Sequence, residues 1–137
     1  MTKTFETSDD LNNEKAVVLE LMQHWGFEFK KLDRRYQADF LAMSGDEPKL
    51  WLEIKCRNMT STEWPDVILE LDKANVMWQL SQNTGVPSLF VVRFTDRIGW
   101  IKIAPPFRVK YINYNDRYNV SGSPCAILQI NQFTFLE

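Results

Sequence analysis

The chain has 137 residues, of which 45% are apolar and 25% charged, a composition typical of a soluble globular protein with one domain over residues 1–137. Its formal net charge of −2 excludes a protein whose whole surface binds nucleic acid, but it leaves room for a local basic patch. No apolar run approaches the roughly 20 residues that span a bilayer, so we expect no membrane segment. The polar N-terminus does not resemble a signal peptide, and two cysteines make no disulfide framework. We therefore expect a cytoplasmic location.

The first predicted element is a helix that follows a loose tail over residues 1–8. A capping residue within Ser8–Asp10 starts the helix, and Gly26 ends it after Trp25. Its apolar stripe consists of Leu11, Val18, Leu21, Met22 and Trp25. Glu14 falls on the same stripe, where a carboxylate needs compensation. It either lies solvated in the first turn near the helix dipole or reaches a charged patch on the strands that follow.

Three strands are predicted next, over residues 27–32, 37–43 and 50–56. The last two flank a short polar stretch, from Ser44 to Pro48, that contains Gly and Pro. Apolar runs around such a stretch are typical of a β-hairpin. The sequence therefore predicts a first strand followed by a hairpin.

The predicted hairpin brings like charges together. Folding it about Asp46 places Asp39 directly across from Glu53, where opposing Cβ atoms lie about 4.5–5.5 Å apart and like charges destabilise the pair. Side chains alternate along a strand, so Lys55 shares the face of Glu53, whereas Cys56 points the other way and is expected to be a buried small hydrophobic residue. A divalent cation would remove the repulsion, so the patch is a candidate metal site.

The second half of the chain is predicted to contain one more helix. Residues 67–71 favour a short buried strand, although a helix that starts at Pro65 is an alternative. Asp72 is expected to cap a helix over 73–83 that ends near Gly85.

Four more strands are predicted over residues 88–94, 100–103, 107–114 and 126–130. The run over 113–123 is polar. Its residues Tyr114, Arg117 and Tyr118 could stack on bases, but an ordinary surface loop explains them better.

Basic residues are concentrated around the hairpin: Lys30, Lys31, Arg34, Arg35, Lys55 and Arg57. A solvated charged edge is the simplest explanation for these residues in isolation. Their proximity to the carboxylate pair favours phosphate contact instead. Lys73 heads the apolar stripe of the second helix, where it either snorkels to solvent or serves the same charged patch.

These residues resemble the PD-(D/E)XK nuclease superfamily over roughly residues 11–103. Asp39 is similar to the motif aspartate, and Glu53-Ile54-Lys55 is similar to the E-x-K motif. Glu14 resembles the helix glutamate of the resolvase-like branch, and Lys73 resembles a lysine at the start of the second helix in small phage-type members. The chain departs from the full motif at Ala38, where the motif has proline.

The resemblance implies an α/β fold with a restriction-endonuclease-like α-β-β-β-α-β core. In this fold a central mixed sheet is flanked by helices. The core would span residues 11–103, and residues 104–137 would add C-terminal strands. Small members of this fold often dimerise, so a homodimer is also expected, with Trp64, Trp100 and Phe107 as candidate interface residues.

The resemblance further implies a Mg²⁺-dependent DNA endonuclease, with Mn²⁺ as a substitute and a structure-selective, phage-encoded or mobile-element enzyme as the finer expectation. Asp39, Glu53 and the Ile54 carbonyl would bind the metal, and Glu14 would hold a water. Lys55 would position or deprotonate the attacking water, or stabilise the transition state. The residues that would contact DNA are Lys30, Lys31, Arg34, Arg35, Arg57 and Lys73.

Two other classes of function fit the same residues. One is a catalytically inactive DNA-binding or assembly module on the same fold. The other is a protein interaction domain in which the acidic pair and Lys55 form a structural ion cluster. Metal dependence distinguishes the nuclease from both, and salt-dependent DNA binding distinguishes the first alternative from the second.

Overall fold

The structure, a computed structural model, describes the backbone of residues 8–115 and 120–137 and the side chains of residues 13–113 and 122–137. The helices are α1 (Ser8–Trp25) and α2 (Leu71–Thr84). The strands are β1 (Glu28–Lys31), β2 (Phe40–Ser44), β3 (Glu47–Cys56), β4 (Asp66–Glu70), β5 (Ser88–Arg93), β6 (Ile98–Lys102), β7 (Val109–Asn115), β8 (Val120–Gln129) and β9 (Thr134–Phe135). Short 3₁₀ turns cover Arg34–Tyr36 and Ile130–Gln132. None of the helices described is long and apolar enough to cross a bilayer.

A six-stranded mixed sheet lies at the centre, in the order β1-β2-β3-β5-β6-β9. Strands β3 and β5 are parallel, and the other neighbours are antiparallel. Parallel neighbours need a crossover connection, and α2 lies in the segment that joins β3 to β5. The order of the elements confirms the predicted α-β-β-β-α-β core with extra C-terminal strands, apart from the short β4 that precedes α2.

Different elements cover the two faces of this sheet. On one face α1 packs against the strands, and the buried residues there include Val17, Leu21, Phe40, Leu52 and Ile54. On the other face α2 and a second sheet close a core that includes Val67, Leu69, Met77, Phe90 and Phe94. Because side chains alternate along β3, Leu52 and Ile54 point towards α1, whereas Glu53 points towards the α2 side.

The hairpin forms with the predicted register at its open end. Phe40 pairs with Leu52, and continuing this register by one residue sets Asp39 across from Glu53. Asp39 itself lies just before β2, and its N–H donates to the carbonyl of Leu52 at 2.9 Å. The predicted strand over 37–43 therefore begins three residues too early, although the pairing at its end is correct.

The closed end of the hairpin is tighter than predicted. A bulge between Ala42 and Met43 shifts the register by one residue, so only Gly45 and Asp46 form the turn and β3 begins at Glu47. Gly45 takes the positive φ of 60° that this short turn needs. The expectation that the turn extends to Pro48 is wrong, because Pro48 is accommodated near the start of β3, beside the bulge.

The strand predicted over 67–71 is confirmed as β4, but it joins a second sheet of order β4-β8-β7. The expectation that Asp72 caps α2 is wrong. Glu70 is the N-cap, with extended φ and ψ of −54° and 137°, and Asp72 lies in the first turn, where its carboxylate accepts from the N–H of Lys73. Gly85 ends the helix with a φ of 72°, and its N–H donates to the carbonyl of Ser81.

Part of the run over 113–123 belongs to strands β7 and β8 rather than to a surface loop. Tyr114 lies in β7 and pairs in register with Ser121 of β8. Arg117 and Tyr118 lie outside the described residues, as does the tail over 1–7. The two-residue strand β9 was not predicted, because such a short segment carries no periodic signal.

Candidate active site

Asp39 is held at the open end of the hairpin by its side chain as well as its backbone. Its Oδ2 accepts from the N–H of Ile54 at 2.8 Å. Its carbonyl accepts from the N–H of Leu32 at 3.0 Å, at the end of β1. The carboxylate is therefore fixed against the strand segment that carries Glu53 and Lys55.

Glu53 is buried, with 1% of its surface exposed. Its Oε2 lies 3.4 Å from Lys55 Nζ and its Oε1 lies 3.5 Å from Lys73 Nζ. Both distances exceed those of a strong charge-assisted hydrogen bond, and Oε1 has no hydrogen-bond partner among the described residues. Burial and, to a smaller extent, the charge of Asp39 raise the pKa of Glu53 to about 6, against the opposing effects of Lys55 and Lys73.

Lys55 lies next to Glu53 on the same face of β3 and leaves 45% of its side chain exposed. Burial of the ammonium group would by itself lower the pKa of Lys55. The charges of Glu53 and Asp39 outweigh that effect and raise the pKa above its usual value. Lys55 is therefore a cation at neutral pH in the metal-free protein, in contact with both the buried carboxylate and the solvent.

Arg57 continues this row two residues after Lys55. Its backbone N–H donates to the carbonyl of Arg93 at 2.9 Å, which extends the pairing of β3 with β5. Its side-chain Nε is buried and has no hydrogen-bond partner among the described residues. Burial lowers the pKa of Arg57, whereas the negative charges of Glu53 and Glu70 raise it. A guanidinium remains charged under these conditions, and the Arg57 side chain as a whole is only partly buried.

Lys73 reaches the same site from the first turn of α2. Its Nζ donates to the carbonyl of Gln37 at 2.6 Å as well as facing Glu53. Gln37 has a left-handed φ of 60° and lies two residues before Asp39. The ammonium group thus links α2 both to Glu53 and to the backbone just before Asp39.

Glu14 lies on α1, which covers the opposite face of the sheet. The helix begins at Ser8, so Glu14 is in the second turn, and only 9% of its surface is exposed. Its Oε1 accepts from Lys31 Nζ at 2.8 Å, and Lys31 pairs in register with Phe40, the residue after Asp39. Glu14 is therefore buried rather than solvated in the first turn, and it lies near the open end of the hairpin through Lys31.

The other predicted cations are distributed around this end of the sheet. Lys30 Nζ forms an exposed ion pair with Glu28 at 2.7 Å. Arg34 and Arg35 lie in the exposed 3₁₀ turn that precedes Asp39, and the Arg35 guanidinium stacks on the ring of Tyr36 at 5.1 Å. Lys30 and Lys31 do not belong to one continuous patch. Both lie in β1, where successive side chains point to opposite faces of the sheet.

Cys56 is exposed, so the expectation of a buried residue is wrong. It is the last residue of β3, two residues beyond Ile54, which is the last residue of this strand in the core on that face. The three candidate interface residues are also unequal. Trp64 is 42% exposed, whereas Trp100 packs edge-on against Trp25 and Phe107 packs partly against the core.

Comparisons with known proteins identify the family. A family model described as "Phage putative PDDEXK endonuclease" matches residues 1–121. The chain belongs to this PDDEXK endonuclease family. No curated protein matches the sequence.

A search of solved structures matches this PDDEXK chain to Hjc, a Holliday junction resolvase from the archaeal hyperthermophile Archaeoglobus fulgidus. The TM-score is 0.64, the sequence identity is 14%, and the match covers 95% of this chain and 92% of that one. At this identity the match demonstrates a shared fold. The fold is therefore resolvase-like, as the sequence resemblance implied.

The donor set of this PDDEXK site is compatible with a hard divalent cation. In the part of the chain that the structure describes, no three His, Cys, Asp or Glu side chains are grouped to hold a metal. Two carboxylates are present, and one of them has an oxygen without a hydrogen-bond partner. N–H and C=O groups of one strand residue lie on the same side, so the Ile54 carbonyl points to the side of Asp39. Mg²⁺ is often bound by one or two carboxylates with substrate phosphates and water, which such a set allows.

Sequence reasoning missed one member of the site. The carbonyl of Gln37 takes part through the backbone, which no residue-type pattern reveals. The only signal was the position of Lys73 at the head of an apolar helical stripe, where a cation needs a partner or an exit to solvent.

Proposed function

We propose that this protein is a metal-dependent endonuclease that hydrolyses phosphodiester bonds in DNA. The observation that carries the proposal is the buried Glu53 carboxylate, which lies across the hairpin from Asp39 and keeps one oxygen without a hydrogen-bond partner. Burying one carboxylate beside another is costly unless a cation compensates them. Because the chain belongs to an endonuclease family, we infer that the buried acidic pair binds a catalytic cation.

Asp39, Glu53 and the Ile54 carbonyl would hold Mg²⁺ or Mn²⁺. When bound, the ion would neutralise charge on the scissile phosphate and lower the pKa of a water. Asp39 is held ready for this role by the N–H of Ile54, which occupies one of its lone pairs and leaves the others free. The side chains therefore need little rearrangement to accept a cation.

Lys55 would act as a cation rather than as a base in the resting site, because Glu53 and Asp39 raise its pKa. Its exposed ammonium group can donate hydrogen bonds to the attacking water and to a phosphate oxygen. These donors stabilise the negative charge that builds up as the phosphorus becomes pentavalent. Lys55 would thus orient the nucleophile and stabilise the transition state.

DNA would approach across the open end of the hairpin. We assign phosphate contacts to Arg57, which is partly exposed two residues after Lys55, and to Arg34 and Arg35, which are exposed on the turn before Asp39. Lys30 and Lys31 are weaker candidates because carboxylates already pair with them. Phosphate contacts of this kind position the backbone without reading sequence.

Branched DNA is the favoured substrate among DNA structures. One solved structure that matches this fold is a Holliday junction resolvase, and the matching family is described as a phage one. We therefore propose structure-selective cleavage by a phage-type enzyme. A second copy of the chain would be needed to cut two strands at one junction.

The test is a cleavage assay on four DNA substrates of shared sequence: a four-way junction, a nicked duplex, a linear duplex and a single strand. Each is incubated with Mg²⁺, Mn²⁺ or a chelator, using wild type and Glu53→Gln. We expect metal-dependent cleavage of the junction by wild type and none by the variant. Salt-dependent binding without cleavage in any metal would instead support the inactive DNA-binding module.

A further inference from the structure

The turn that delivers Asp39 to the site has an unfavourable backbone conformation. It runs from Asp33, whose carboxylate accepts from the N–H of Arg35 at 3.1 Å, to Gln37, whose N–H donates to the carbonyl of Arg34 at 3.1 Å. Gln37 has a φ of 60°, in the left-handed region that is unfavourable for a residue with a side chain. Such a conformation persists only where surrounding contacts impose it.

Lys73 supplies one of those contacts from a different element. Its Nζ donates to the Gln37 carbonyl at 2.6 Å, a short and charge-assisted hydrogen bond. The side chain is 29% exposed, and its Nζ is also 3.5 Å from Glu53 Oε1. The ammonium group is therefore directed into the protein, between the turn of Asp39 and the carboxylate of Glu53.

We propose that Lys73 is a positioning residue, which holds the Gln37 turn so that the Asp39 carboxylate stays on the N–H of Ile54 and beside Glu53. This role replaces the DNA contact expected for Lys73 from the sequence. The inference rests on the proposed function, in which Asp39 and Glu53 share a cation, and it assigns to Lys73 the role of keeping these two carboxylates close together.

The charge of Lys73 and its hydrogen bond have opposite effects on cation affinity. A positive charge this close to Glu53 repels a second cation, so removing the charge alone would strengthen metal binding. Loss of the hydrogen bond would release the turn, separate the carboxylates and weaken metal binding. A neutral substitution therefore distinguishes a residue that acts by charge from one that acts by position.

The experiment compares Lys73→Met, which removes both the charge and the donor, with Lys73→Arg, which keeps both. The first readout is hydrogen exchange at the Ile54 amide in chelator, with the Arg57 amide as a reference because it bonds to β5 instead. We expect Ile54 exchange to rise roughly 5-fold or more in Lys73→Met, the scale of one lost hydrogen bond, and to return towards the wild-type rate in Lys73→Arg. The Arg57 amide should be unaffected in both variants.

The second readout is Mn²⁺ affinity by calorimetry at fixed ionic strength, with Lys49→Met as the matched control on β3. We expect Lys73→Met to bind Mn²⁺ more weakly than wild type, and the control to be unchanged. Unchanged Ile54 exchange in Lys73→Met overturns the proposal whatever the affinity does. If DNA affinity in chelator falls while exchange is unchanged, Lys73 is a phosphate contact instead.

These readouts do not require cleavage. Failure of the proposed function would appear as a wild-type protein that cuts no DNA in any metal. Failure of the positioning role would appear as an Ile54 amide that does not respond to Lys73→Met, in a wild-type protein that still cuts DNA.

Discussion

The Ile54 N–H donates to Asp39 Oδ2 at 2.8 Å, so the aspartate at the entrance of the hairpin is tied to the residue between Glu53 and Lys55. This bond joins the two parts of the acidic motif through one peptide group. It also orients Asp39 without using a second side chain, which leaves its other lone pairs for a cation. The geometry of the pair is thus built into the pairing of β2 with β3.

The acidic pair and Lys55 should be required for cleavage. We expect Asp39→Asn, Glu53→Gln and Lys55→Ala each to lower the cleavage rate by about 10²-fold or more, the scale of a lost general acid–base or electrostatic contact. The same strand offers controls in Glu47→Gln and Lys49→Ala, which remove an exposed ion pair of 2.9 Å. Wild-type rates in any of the three site variants would remove that residue from the active site.

Stability of the metal-free protein should fall as pH rises through the titration of Glu53. Burial raises the pKa of Glu53 from 4.5 to about 6, so the folded protein binds more protons than the unfolded chain between these values. The stabilisation is fully present below pH 4.5 and is lost as pH rises past 6. Its size is about 2 kcal/mol, from about 1.4 kcal/mol per pKa unit.

Glu53→Gln should abolish this part of the pH dependence, because glutamine resembles the protonated acid. Denaturant unfolding in chelator from pH 4 to pH 8 measures it, and the variant should be more stable than wild type only at the upper end. If wild type instead gains stability relative to the variant as pH rises, Lys55 and Lys73 already compensate the ionised carboxylate, as in a structural ion cluster.

Divalent metal should raise the melting temperature of wild type. A ligand that binds only the folded state stabilises it by RT ln(1 + [L]/Kd), which is about 2.7 kcal/mol at 100-fold excess over Kd. Asp39→Asn removes one carboxylate, so millimolar Mg²⁺ or Mn²⁺ should change its melting temperature little. Equal shifts in both proteins, measured at fixed ionic strength, would show that the metal acts elsewhere.

Glu14 should affect both stability and metal dependence. It is buried and pairs with Lys31 at 2.8 Å, beside the open end of the hairpin, so Glu14→Gln should destabilise the fold by about 1 kcal/mol. We also expect it to raise the Mg²⁺ concentration needed for half-maximal cleavage. Glu20 is exposed on the same helix, and Glu20→Gln should change neither quantity. A loss of stability with an unchanged Mg²⁺ requirement would mean that Glu14 stabilises the fold through its ion pair and has no part in metal binding.

Arg34 and Arg35 should contribute to DNA affinity without sequence preference. Replacing both with Ala should weaken binding to every DNA sequence to a similar extent. It should also flatten the salt dependence, because fewer phosphate contacts mean that fewer counterions are released on binding. Lys30→Ala is the control, since Lys30 is paired with Glu28. If the salt dependence of DNA binding equals that of wild type, the two arginines are solvated surface residues that do not contact phosphates.

The local sequence was sufficient to predict the acidic pair. Alternation of side chains puts Lys55 on the face of Glu53, and the short Gly-containing turn together with the bulge between Ala42 and Met43 gives the register that brings Asp39 across from Glu53. These relationships are local, because a hairpin joins neighbouring strands. The position of Gly26 after α1 and the continuous apolar run of β5 also carry signals within one element.

Only the tertiary structure decided what surrounds that pair. The approach of Lys73 to Gln37, the opposite face taken by Glu14, and the exposure of Cys56 depend on how α1, α2 and β5 pack against β3. Helix periodicity gives the apolar stripe but not the rotation and depth at which a helix meets the sheet. Contacts across 36 residues, such as that of Lys73 with Gln37, follow from the packing of the whole core, which no local pattern encodes.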